Sequence, residues 1–246
     1  MDNPATSENR FRAAADSADP ADRAIFLTQV ARALGLQGRF DEALALLESL
    51  TGRDPEVQAR LLLERGRVLN SSRDPQRAIP VFGDAFAAAS EAGLEFLAID
   101  AVHMQAIAVP ADAQDAFNGQ ALQLAGAAHD PRERRWRGSV LNNMGWTAFD
   151  RGDFDAALGR FKAALVAREE AGEEPEIRIA RWCIGRTLRA LGRLDEALAV
   201  RRALAAEHDA AGTADPFVQE KLTELESALK AGSPQTQAPD DPRATP

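Results

Sequence analysis

The chain has 246 residues, a formal net charge of −9, and 45% hydrophobic against 27% charged residues. The length admits one domain or two. Ala, Leu, Arg and Glu dominate while Tyr is absent, which argues against an all-β or large α/β core built on β-branched and aromatic residues. An acidic balance disfavours nonspecific binding to nucleic acid or anionic membrane, and the single cysteine, Cys183, excludes an intrachain disulfide.

Residues 1–20 are polar and lack an apolar stretch of about 7–15 residues, so no secretory signal is expected and the segment reads as partly disordered. Helices are then predicted over 21–36, 40–51, 55–70, 74–92, 94–109, 112–128, 131–151, 154–171, 173–191, 194–211 and 215–231. Asp54-Pro55, Asp74-Pro75, Asp130-Pro131 and Asp215-Pro216 have the form of a capping acid followed by a first-turn proline. The last helix carries Phe217, Leu222, Leu225 and Leu229 near one face and is expected to cap the apolar end of a stack. Residues 232–246, rich in Pro, Gln, Thr and Asp, read as a disordered tail. No segment approaches about 18 uninterrupted apolar residues, so no transmembrane helix is expected and the protein reads as cytoplasmic.

Three stretches repeat one pattern: 30–50, 144–165 and 184–204. Each has a small residue inside one helix, a glycine in the turn, and an Ala-Leu pair opening the next helix. The small anchors are Ala31, Gly66, Gly145 and Gly185. Twelve residues later stand Ala43, Ala78, Ala157 and Ala197; sixteen later, Leu47, Phe82, Phe161 and Arg201; nineteen later, Leu50, Ala85, Ala164 and Leu204. Small residues let two antiparallel backbones approach, and the large residue between them fills the remaining gap. Gly38, Gly152 and Gly192 suit a left-handed turn after the first helix.

This small–Ala–Phe–Ala set resembles the tetratricopeptide repeat. The spacing departs from the usual ~34 residues: Gly145 and Gly185 are 40 apart, and the 79 residues between Gly66 and Gly145 leave room for one more repeat. With Leu141–Gly145 reading LNNMG, the longer period is similar to the kinesin-light-chain-like and bacterial regulator-type subgroup. The hidden third repeat, about 93–128, is irregular: Asn118 falls where alanine is expected if Ala106 is its anchor. The resemblance implies an all-α, right-handed superhelix of about five hairpins plus the capping helix, spanning 21–231 as one domain.

The resemblance also implies a concave groove lined by the first helix of each hairpin, at offsets −3, −2, +1 and +4 from the anchor. These positions hold Thr28, Gln29, Arg32 and Gly35; Leu63, Glu64, Arg67 and Asn70; His103, Met104, Ile107 and Pro110; Asn142, Asn143, Trp146 and Phe149; and Trp182, Cys183, Arg186 and Arg189. Arg32, Arg67, Arg186 and Arg189 outnumber the one acid, Glu64, so the groove reads as locally basic with aromatic walls. Candidate binding residues are Arg32, Arg67, Asn70, His103, Asn142, Asn143, Trp146, Trp182, Arg186 and Arg189. Arginine grips carboxylates with paired donors, and asparagine both donates to and accepts from an extended backbone. Trp146 and Trp182 suit large apolar contacts with a ligand, or equally packing between hairpins.

No nucleophile–base pair, phosphate-binding loop or metal-ligand spacing among His103, His129 and His208 is present in the sequence, so neither catalysis, metal nor cofactor is expected. The acids Glu169, Glu170, Glu173, Glu174 and Glu176 read as a solvated turn, and the basic run 132–137 as a solvated helix start or a patch for an acidic partner. The expected function is a scaffold for another protein or an extended peptide with acidic and apolar residues. The second expectation from the resemblance is a regulatory sensor of a signal peptide or small ligand that controls a transcription or signalling partner. Nucleic acid and membrane are not expected partners.

Overall fold

A computed structural model describes residues 3–50, 54–212, 220, 222–224 and 226–227. Every regular element among them is helical: α1 (Pro4–Ser17), α2 (Pro20–Leu36), α3 (Phe40–Ser49), α4 (Pro55–Ser71), α5 (Pro75–Glu91), α6 (Glu95–Ala108), α7 (Gln114–Ala127), α8 (Pro131–Arg134), α9 (Trp136–Asp150), α10 (Phe154–Ala171), α11 (Glu174–Ala190) and α12 (Leu194–Ala210). Capping acids set the starts as expected. Asp54 accepts from the backbone N–H groups of Glu56 and Val57, Asp74 from Arg77 and Asp130 from Arg132, each satisfying donors that the first turn leaves open. Asp215-Pro216 and residues 232–246 lie outside the described residues. Of the expected capping helix, Glu220, Leu222, Thr223, Glu224, Glu226 and Ser227 are described and helical.

Two elements differ from the sequence reading. The N-terminal segment expected to be partly disordered forms α1. Asn3 caps it through the Ala5 N–H and Pro4 opens it. Ala15 is buried, and the side chain of Glu8 accepts from Gln37 and Arg39 near the end of α2. A polar composition hid a helix held by these hydrogen bonds together with two apolar contacts, buried Ala15 and Phe11 packed on the core of the first hairpin. The expected helix 131–151 is divided into α8 and α9 at Arg135, whose dihedrals stay helical (φ −59°, ψ −27°), so the interruption is slight.

The chain forms two compact units, one up to Trp136 and one from Arg137. In the first unit α1 packs on α2, and the hairpins α2–α3, α4–α5 and α6–α7 follow in order, with α2 against α4 and α4 against α6. First helices are therefore neighbours of first helices. In the second unit α10 packs on α11 and α11 on α12, while α9 meets α10 through Gly145 and Phe161.

The interior of each hairpin follows the repeat offsets. Ala43, Ala78, Ala157 and Ala197 are fully buried, as are Phe82 and Phe161. Gly66 and Gly145 sit so close to these rings that a side chain would have no room. The third hairpin keeps the register anchored on Ala106, with Asn118 and Ala125 buried at the alanine positions. In the last hairpin buried Arg201 takes the place of the phenylalanine. The turn glycines Gly38, Gly152 and Gly192 have φ of 75°, 79° and 72°. The second hairpin reaches the same left-handed turn with Arg73, φ 66°, a conformation costing an L-residue roughly 1–2 kcal/mol.

Candidate functional site: the faces of the first helices

In the first unit the face is built by α2, α4 and α6. Residues 60, 64 and 67 of α4 recur at helical spacing, as do 96, 100, 103 and 107 of α6, which places each set along one side of its helix. Arg32 on α2 is largely exposed and stands 3.6 Å from Glu64. Arg67 donates through Nη1 to Glu64 at 2.5 Å and through Nη2 to both oxygens of Asp100 at 2.5 and 2.6 Å. Arg67, Glu64 and Asp100 have side chains only 13%, 3% and 7% exposed. Arg67 is therefore a half-buried link between α4 and α6. Burial pushes the Glu64 carboxyl above its ordinary range; Arg67 and Arg32 oppose that push and Asp100 adds to it.

The sequence offsets counted one acid on this face; the structure adds a second. Asp100 lies six residues before Ala106, outside the four offsets, and its only sequence signal is a lone charge inside the apolar run of α6. The reading of a locally basic groove does not hold for the first unit, where Arg32, Glu64, Arg67 and Asp100 alternate in sign. His103 is buried with its ring 5.0 Å from Trp136, which in turn lies 5.7 Å from Phe96. Burial drives the imidazole down to about 4, with Asp100 opposing the shift and Arg67 assisting it. Asn70 is half-buried near the end of α4. Among the apolar residues of α6, Phe96 and Ile107 are exposed.

In the second unit Trp146 and Phe149 on α9 and Trp182 on α11 surround one guanidinium. The Cζ of Arg186 lies 5.3 Å from the ring of Trp146, 5.1 Å from Phe149 and 5.6 Å from Trp182. The rings support one another: Trp146 meets Phe149 at 5.4 Å and Trp182 at 6.2 Å, and its edge contacts Phe161, the filling residue of the hairpin. Both tryptophans are buried, and their rings stand as walls around Arg186. Phe149, at a groove offset but not among the candidate residues, completes the enclosure.

Asn142 and Asn143 are half-buried on α9, and Asn142 accepts a long contact from the Cys183 thiol at 3.7 Å. Burial pushes that thiol up to about 12 against the pull of Arg168 and Arg186, which makes it unreactive at neutral pH. Arg189, half-buried, lies 3.9 Å from Glu224. In the basic run 132–137, Arg132 pairs with Asp130 and Arg134 donates to the carbonyl of His129, the pattern of a helix start.

Paired helices held by small-residue contacts, with polar and aromatic side chains along the first helix of each pair, define a helical-hairpin repeat protein. The family model described as tetratricopeptide repeat matches residues 29–93 and 142–215, more than half of the chain, and the chain belongs to the tetratricopeptide-repeat family. A search of curated proteins finds no match. Among solved structures the chain is similar to BtubC (BKLC) from P. vanneervenii, with 16% identity, a TM-score of 0.57, and 97% of this chain and 94% of that one covered. It is similar to a putative kinesin light chain with nearly identical repeats from P. anserina, at 17% identity, a TM-score of 0.59, and coverage of 78% and 98%. It is also similar to a Rap protein complexed with competence and sporulation factor, at 16% identity, a TM-score of 0.64, and coverage of 91% and 68%. At these identities the likeness is one of fold. No helix among the described residues is long and apolar enough to cross a membrane.

Proposed function

We propose that this chain is a non-catalytic scaffold that binds another protein or an extended peptide through the faces of its first helices, with Arg186 gripping an acidic residue of that partner. The observation that carries this reading is the guanidinium of Arg186 set over three aromatic rings. Ring faces attract a cation without cancelling its formal charge, and they restrict the side chain before a ligand arrives. A planar guanidinium held in this way is suited to paired hydrogen bonds with a carboxylate. Asn142 and Asn143 on the adjacent helix supply amides that match an extended backbone. The single cysteine, a buried thiol, fits work in the cytoplasm.

A second reading draws on the likeness to the Rap protein complexed with competence and sporulation factor: a regulatory sensor that takes up a signal peptide or small ligand and passes the change to a transcription or signalling partner. It uses the same faces and differs in the consequence of binding.

Selection from a random-peptide display library tests the scaffold. The wild-type chain should enrich peptides containing Asp or Glu. Arg186→Glu combined with Asn143→Ala should bind the best of them at least about tenfold more weakly, the scale of losing one charge-assisted anchor. Equal binding by the two proteins, with matching helical content, would move the site away from Arg186.

A further inference from the structure

We propose that Asp100 is a specificity-determining residue: by holding Arg67 across two neighbouring first helices, it closes the face of the first unit to acidic segments. This inference rests on the reading of the first-helix faces as the binding surface.

Charge order along the face is the first observation. Arg32 on α2, Glu64 and Arg67 on α4, and Asp100 on α6 form a ladder that alternates in sign, with successive contacts of 3.6, 2.5 and 2.5 Å. Its two cations and two acids balance. The offsets that identify this family's groove place both arginines on the binding face, where on their own they would attract acidic residues. The structure supplies the carboxylates internally. Asp100 takes both bonds from one guanidinium nitrogen of Arg67 and Glu64 takes one from the other, so both terminal nitrogens are already engaged by carboxylates.

An acidic side chain brought to Arg67 would meet two like charges at contact range, where each opposes it as strongly as the cation attracts it. It would also have to displace a buried carboxylate whose alternative is a nearly dry interior. Asp100 has a further property that Glu64 lacks. It belongs to a different helix from Arg67, so it selects among ligands and ties α4 to α6 at once. The exposed residues beside it, Phe96 and Ile107, are apolar, which suits an uncharged segment on this face.

The test is fluorescence anisotropy with a fluorescein-labelled dodecapeptide of alternating Glu and Gly, using the full chain at low salt. Asp100→Asn keeps the shape and one acceptor for Arg67 while removing the charge. It should bind the peptide roughly fivefold more tightly than wild type, the effect of one uncompensated charge at close range in high dielectric. The gain should fade at high salt and vanish when Arg67→Met is added. A dodecapeptide of alternating Gln and Gly should show no gain. Glu64→Gln, which leaves the α4–α6 link in place, should give a gain of the same sign and serves if Asp100→Asn does not fold. Folded variants that bind the acidic peptide no better than wild type would overturn the inference. Arg186→Glu, measured alongside, separates the two readings: if it leaves wild-type binding unchanged, the Arg186 anchor fails, whereas the role of Asp100 is judged only by the ratio between Asp100→Asn and wild type.

Discussion

A carbon added to Gly145 would lie 2.5 Å from the Cε1 of Phe161, and one added to Gly66 would lie 2.5 Å from the Cε1 of Phe82. Both separations are far inside van der Waals contact, and both rings are fully buried. Helix propensity favours alanine over glycine by about 1 kcal/mol. Forcing a ring aside in a close-packed interior costs about 1–3 kcal/mol or more. Packing should therefore win. Gly66→Ala and Gly145→Ala are each expected to lower the unfolding free energy by up to about 2 kcal/mol in urea denaturation, the difference between those two effects. A gain in stability in either variant would show that the ring moves freely and that the small anchor is not set by packing.

The hairpin interiors are legible in sequence because close approach restricts residue type at fixed offsets: a small anchor, an alanine twelve later, a large side chain sixteen later. The same logic places the turn residues, although Arg73 shows that a glycine is favoured there rather than required. Ion pairing follows no such rule. Arg67 and Arg186 occupy the same offset from their anchors, yet one is held between two carboxylates and the other lies over three rings. The difference is set by which side chains a neighbouring first helix presents, α6 to Arg67 and α9 to Arg186, and Asp100 falls at no recurring position. Helix α1 was hidden for a related reason: Glu8 is tied down by Gln37 and Arg39, partners far along the chain.

His103 makes the stability of the first unit depend on pH. Its imidazole titrates near 4 in the folded chain against an ordinary 6.5. Between those values the unfolded chain takes up a proton that the buried ring refuses, so the unfolded state binds more protons and stability falls as pH falls through that window. A shift of this size corresponds to at most about 3 kcal/mol. His103→Gln should lose much less stability than wild type on going from about pH 7 to about pH 4.5, since the other titrating groups are shared. Urea denaturation at the two pH values checks this. Equal losses in the two proteins would mean that His103 is solvated or charged in the fold.

Arg201 and Gly185 form the last version of the anchor contact, and it is looser. A carbon added to Gly185 would lie 3.4 Å from Val200 Cγ1 and 3.6 Å from Arg201 Cγ, ordinary contact distances. Gly185→Ala alone should therefore raise stability by up to about 1 kcal/mol through helix propensity, the opposite sign to the two glycines above. Arg201 is buried, and its guanidinium lies 5.6 Å from the ring of Trp182. Arg201→Phe would put a ring in the place that Phe82 and Phe161 occupy in their hairpins, where only glycine fits beneath it. The alanine that stabilises the native chain should then become destabilising. In a double-mutant cycle the two substitutions together should be worse than their sum by about 2 kcal/mol, within the range found for residues in direct contact. Additivity to within about 0.5 kcal/mol would place the new ring elsewhere. A Gly185→Ala loss comparable to that of Gly145→Ala would show instead that the long arginine side chain fills the hairpin as tightly as a ring does.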